Sequence, residues 1–168
     1  MAIATIFIFV VVVGFMFFFE IQDIIILGNK VEKALYAAGW TGFSKLDLKE
    51  MARRNLLTSI ENRDEYLDKN QAKDIVEEYI KKNLKLDASM YPTIDSYITV
   101  KDQPVIVDEI TVYNPNDLPA ASSTGYSMTR TTIHIRVRIP IETRFTGFRY
   151  VEKSVHVDTN SFLTDEQI

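Results

Sequence analysis

The chain has 168 residues, with 19 Lys and Arg against 23 Asp and Glu, a net charge of −4 and no cysteine. That length suits one ordinary domain plus an appendage. The charge balance argues against a nucleic-acid partner, which needs a basic stripe, and the missing thiols exclude disulfides, zinc–thiolate sites, iron–sulfur clusters and thiol nucleophiles.

The first element is MAIATIFIFVVVVGFMFFF, with Glu20 as the first charged side chain. As a helix this run is about 29 Å long, the thickness of a bilayer core. It is apolar on every face, so it does not read as a surface helix of a soluble domain. A cleavable secretory signal carries a basic start, a shorter apolar run and a small-residue cleavage site, and none of these is found here. No Lys or Arg precedes the run, whereas Lys30 and Lys33 follow it. If Met1 is the initiator, the positive-inside rule places the large domain in the cytoplasm. If a basic leader was removed before Met1, the missing charges are explained by processing.

The helical pattern does not stop at Glu20. In IQDIIILGNKVEKALYAA, Ile21, Ile24, Ile25, Leu27, Val31, Leu35 and Tyr36 recur near a 3.6 period. This predicts one helix running from the apolar stem into the domain without a linker, loosened at Gly14 or bent near Gly28. Gly14 also suits close helix packing, the usual use of glycine in apolar helices. In GWTGFS, Gly39 reads as a helix C-cap and Ser44 as the N-cap of the next helix, over KLDLKEMARRNLLTSI. The inner face of that helix takes Leu46, Met51, Leu56, Leu57 and Ile60. Asp68, three residues before Gln71, gives a capping-box-like start to QAKDIVEEYIKKNL, whose apolar stripe is Ala72, Ile75, Val76, Tyr79, Ile80 and Leu84. Glu77, Glu78, Lys81 and Lys82 stand in the favourable i,i+4 order.

From Tyr91-Pro92 the pattern changes to strand. IDSYITV, PVIVDEITVY, TRTTIHIRVRIPI and FRYVEKSVHV are rich in β-branched and aromatic residues. The third alternates Ile133, Ile135, Val137 and Ile139 with His134, Arg136 and Arg138. The second changes phase between Val107 and Ile110, which predicts a bulge or an edge. NPNDLPAASSTGYS is a long polar loop, and the tail NSFLTDEQI reads as exposed. Consecutive strands without intervening helices predict an antiparallel sheet. The expected fold is α+β: a long N-terminal apolar helix continuing into a domain of two or so helices packed on an antiparallel sheet of about four strands. Residues 1–38 form the stem and 39–168 the domain.

Signatures of chemistry are missing. HExxH, GxSxG, Walker and GxGxxG motifs are all absent, and the expectation is no enzyme, no metal and no cofactor. His134 and His156 read as surface or interface residues of strands. Asn114, Asn116 and Asp117 offer oxygens in a short span; turn chemistry is the first explanation and calcium the sharper one. Arg130, His134, Arg136 and Arg138 form a basic row, read as a solvated face with cross-strand carboxylate partners or as a subunit contact.

The apolar start with Gly14, followed by a helix that enters a mixed domain, resembles the type IV pilin superfamily, and most of all a tight-adherence (TadE-like) pilin or pseudopilin. The likeness is specific over the first thirty or so residues and is one of layout beyond them. The family usually has a glutamate at the fifth mature position, where this chain has Thr5. The resemblance implies a structural subunit of an extracellular pilus-like filament, held in the cytoplasmic membrane before assembly. Identical stems then form the filament core and the α+β domain forms the outer surface, with other pilins and assembly machinery as further partners. Stem packing is assigned to Ala2, Ala4, Phe7, Phe9, Gly14, Phe15 and Phe18. Glu20 needs a cation or exposure, and Lys30 or Lys33 of an axially shifted neighbour is the candidate partner. The alternative is a single-pass membrane accessory or sensor component of a secretion or competence machine.

Overall fold

A computed structural model describes residues 2–47, 66–145 and 147–158. The first helix, α1, spans Ala2–Gly42, 41 residues, or about 61 Å end to end. It passes Glu20, Gly28 and the expected stem boundary at residue 38 without interruption. Its outer half is bare: Phe7, Phe9, Phe15 and Phe18 are all exposed. In its inner half, Val31, Leu35 and Ala38 are fully buried at helical spacing.

Gly39 does not cap this helix. A Cβ on Gly39 would lie 2.5 Å from Val157 Cγ2, and one on Gly42 would lie 2.5 Å from Ile133 Cδ1. Both glycines are where α1 comes closest to its neighbours, so their use is packing. Ser44 likewise closes α1 and does not open the next helix: its Oγ donates to Thr41 O at 2.7 Å. Lys45–Asp47 is not helical, and Leu46, expected on an inner helix face, forms an isolated antiparallel bridge with Leu67. The rest of the expected helix, from residue 48 on, lies outside the described residues.

The second described helix, α2, spans Lys69–Leu84. Asp68 caps it as the sequence predicts, accepting from the backbone N–H groups of Asn70 and Gln71 while Gln71 Nε2 donates to its other oxygen at 2.8 Å. Ala72, Val76, Ile80 and Leu84 are buried at steps of four. Lys81 and Glu77 pair at 2.9 Å on the outer side. Asn83 Nδ2 donates to Ala34 O at 3.1 Å, tying the end of α2 to the inner half of α1.

Both helices cover one face of a three-stranded antiparallel sheet. Its strands are β1 (Ile106–Tyr113), β4 (Thr132–Thr143) and β5 (Gly147–Asp158), with β4 in the centre. Ile133, Ile135, Val137 and Ile139 of β4 are buried, and Ile110 and Val112 of β1 and Val155 and Val157 of β5 flank them on the same face. The predicted irregularity is present: β1 is an edge strand, and its register shifts between Val107 and Glu109. Between β1 and β4 lie a short 3₁₀ turn, Pro115–Asp117, and a two-stranded ribbon of β2 (Ala120–Ala121) and β3 (Ser127–Met128).

IDSYITV is not a strand. Ile98 and Val100 are buried as their alternation suggests, but side chains satisfy the local backbone instead of a neighbouring strand. Ser96 Oγ accepts from the Ile98 N–H at 3.3 Å and donates to Leu84 O at 2.6 Å, and Lys101 Nζ donates to the carbonyls of Thr93 and Ser96. Such side-chain bonds compete with a ladder.

Candidate functional site

Two features rise above ordinary packing: the stem with its exit from the domain, and a polar cluster on the sheet face away from the helices.

The stem carries the residues singled out in the sequence. Ala2 opens α1, and Ala4 is exposed. A Cβ on Gly14 would meet nothing within 4 Å, so no contact inside the chain requires glycine there. Phe7 and Phe9 are 69% and 68% exposed. Over its outer half this helix is long and apolar enough to cross a membrane. The exit point is structured. Glu20 Oε1 accepts a hydrogen bond from the backbone N–H of Arg144 in the β4–β5 turn, and Phe17 meets Phe145 edge to face at 5.6 Å between ring centroids. Glu20 thus finds a donor within its own chain. Lys30 lies 5.9 Å from the centre of the Tyr97 ring and remains exposed, as does Lys33. Lys153 crosses over Gly28, where a Cβ would lie 2.9 Å from its Cε, and reaches Glu32 at 3.4 Å. That clamp fixes α1 to β5 just inside the domain.

The polar cluster follows from strand register. Thr111, His134 and His156 lie side by side across β1, β4 and β5, and Glu109, Arg136 and Ser154 form the next row. The two imidazoles stack at 4.4 Å with 4° between their planes, and Tyr126 of the loop above stacks on His156 at 4.2 Å. His134 is fully buried; it is not the surface residue its strand position suggests, because the β2–β3 ribbon folds back over this face. Its Nε2 lies 3.1 Å from Ser154 Oγ, and its Nδ1 lies 3.5 Å from Glu109 Oε1 without a hydrogen-bond partner. His156 Nε2 lies 3.0 Å from Ser122 Oγ.

Burial pushes the His134 pKa down, Arg136 adds to this, and Glu109 opposes it. Burial and then His134 push His156 down, with Glu109 again opposing. For Glu109, burial acts upward, but hydrogen bonds from Ser123 and Thr111 and the neighbouring His134 leave its carboxyl below the usual range.

Glu109, His134 and Ser154 stand in the order of a hydrolytic relay. The geometry does not make one: the carboxylate is too far from Nδ1 for a hydrogen bond, and the enclosed ring leaves a substrate no approach to His134. The cluster is built to hold the loop on the sheet. In the basic row, Arg138 grips Asp108 with Nε at 2.8 Å and Nη2 at 2.7 Å, and Arg136 lies 3.7 Å from Glu109 while its Nε is buried without a hydrogen-bond partner.

The oxygens of the NPND turn are also in use. Asn114 exchanges two hydrogen bonds with the backbone of Leu67, and Asp117 binds Lys69 at 2.8 Å and the Asn114 N–H at 2.7 Å. One turn bond and contacts to Leu67 and Lys69 occupy these oxygens, and among the described residues no group of three or more His, Asp or Glu could hold a metal ion. Sequence reasoning missed the histidine stack, because pairing of His134 with His156 depends on the register of a long hairpin. Compared with known proteins, the chain matches no family model, no curated protein and no solved structure.

Proposed function

We propose that this chain is a structural subunit of a pilus-like filament, in which the apolar stems of many copies pack together and the α+β domains face outward. One observation carries the reading. The bare, all-round apolar stem and the spine of the domain core are the same unbroken helix, Ala2–Gly42. A simple anchor can hang from a flexible tether, whereas a stem that must hold its domain at a fixed angle among neighbours needs this rigid coupling. Phenylalanines on all sides of the stem suit contact in every direction, and burying each is worth about 1.5–3 kcal/mol relative to water. In this reading the chain resides in the membrane before assembly and at the cell surface after it. The domain contributes a surface and no turnover.

The absence of cysteine makes a direct test simple. Residues two apart on a helix point about 200° from each other, so Phe7→Cys combined with Phe9→Cys places thiols on opposite sides of the stem. Oxidation in intact cells is expected to give a ladder of cross-linked multimers. Monomer alone, or a dimer that never extends, favours the single-pass accessory reading instead.

A further inference from the structure

We propose that the turn between β4 and β5 is a second membrane contact, seated among phospholipid headgroups beside the stem. This rests on the reading that the stem crosses a bilayer before assembly. Phe17, which the turn touches through Phe145, lies three residues inside the uncharged run that ends before Glu20. At about 1.5 Å per residue the turn therefore reaches roughly 4–5 Å past the first charge of the stem. A stem placed across the bilayer carries this turn to the level of the headgroups.

The chemistry of the turn fits that level. Phe145 and Phe148 are 45% and 47% exposed although each has an aromatic neighbour, Phe17 and Tyr150 respectively. Single exposed apolar residues are ordinary, but these two stand at one tip of the hairpin, where Phe145 touches the most apolar element of the chain. Arg144 and Arg149 flank them. Arginines on apolar stems bury the stem and keep the charge at the interface, where lipid phosphates are the matching anions. Aromatic and basic residues together are the composition of interfacial segments. Between turn and stem runs a cleft of about 400 Å³, with an apolar wall of Met16, Phe19, Leu27 and Ile141, and with Glu20, Asp23 and Glu142 along it beside Arg144. An open, apolar-walled cleft at this depth gives a lipid a place between the two membrane-facing elements. The occupant is the bilayer itself, and not a second copy of the chain: the patch is continuous with the stem and lies at its base. Two contacts in place of one would fix the tilt of the domain over the membrane.

Spin labels on single cysteines in the full chain test this, in vesicles of phosphatidylethanolamine and phosphatidylglycerol. Labels at Phe9→Cys, Phe148→Cys and Asn70→Cys are compared for access to oxygen, which partitions into lipid, and to a water-soluble nickel chelate. The expected order is lipid at position 9, interface at 148 and water at 70. Adding Phe145→Asp is expected to move the 148 label toward water and leave the label at 9 unchanged. A label at 148 as wet as the one at 70, with 9 still in lipid, overturns the second contact alone. Labels wet at both 9 and 148 overturn the membrane-crossing stem and the second contact with it. A 148 label in lipid that ignores Phe145→Asp overturns the role given to the turn.

Discussion

His134 and His156 face each other because a hairpin of two twelve-residue strands pairs them in register, and Tyr126 then closes the stack from the loop. Both imidazoles are held below the ordinary value of 6.5 by burial. The groups around them are Glu109 and Thr111 from β1, Arg136 from β4, Ser154 from β5, and Ser122, Thr124 and Tyr126 from the loop. Below pH 6.5 the unfolded chain takes up protons that the folded chain resists, so stability falls as the pH drops from that value toward the lowered folded pKa values. Thermal melting of the full chain in detergent should show a lower midpoint at pH 5 than at pH 7. His156→Phe keeps a flat ring in the stack and removes one titration, so the loss between the two pH values should shrink. An unchanged slope contradicts the assignment. Glu109 acts at lower pH: its stabilisation is present above the usual carboxylate range and is lost as the pH falls through its lowered folded value.

On the scale of elements, three glycines of α1 divide between two duties. A Cβ on Gly39 would meet Val157 at 2.5 Å from Cγ2 and 3.1 Å from Cβ, and a β-branched strand residue has little freedom to turn away. Gly39→Ala gains up to about 1 kcal/mol of helix propensity but overpacks the core, which costs about 1–3 kcal/mol. A lower melting temperature is the expected outcome; a higher one would show that sheet and helix separate easily. Gly42 is crowded in the same way. Gly14 meets nothing, so Gly14→Ala should leave the melting of the domain unchanged. A fall in filament yield with that variant would place the need for glycine between copies of the chain.

The elements legible in the sequence were those with a strong period and local caps. The stem helix was plain from its apolar run, α2 from Asp68 and its four-residue stripe, and β4 from its alternation of isoleucine with basic residues. What failed has physical reasons. Gly39 looked like a terminator because the same residue serves a C-cap and a close helix–sheet approach, and only the position of Val157 tells them apart. IDSYITV has the composition of a strand, but Ser96 accepts from the Ile98 N–H within the segment and the neighbouring Lys101 bonds the Ser96 carbonyl. The histidine stack and the contacts of Glu20 with Arg144 and Phe17 with Phe145 join residues far apart in sequence, and no local pattern encodes them.

Across the described residues, one continuous helix runs from the bare stem into the helix layer that covers the sheet. Leu35 and Ala38 lie in the domain core, while Phe7 and Phe9 of the same helix lie open. An aspartate at position 12 leaves the domain core untouched, since Val12 is half exposed and far out on the stem. In a bundle of stems it becomes a buried unpaired carboxylate, which is costly. The central claim, that stems assemble copies of this chain, is tested most directly by electron microscopy of material sheared from cells producing the natural chain or Val12→Asp, with gold-labelled antibody against the α+β domain. Labelled filaments from the natural chain are predicted, and none from Val12→Asp, with folded protein retained by the cells. Filaments that survive Val12→Asp, or filaments that never contain this chain, would contradict it.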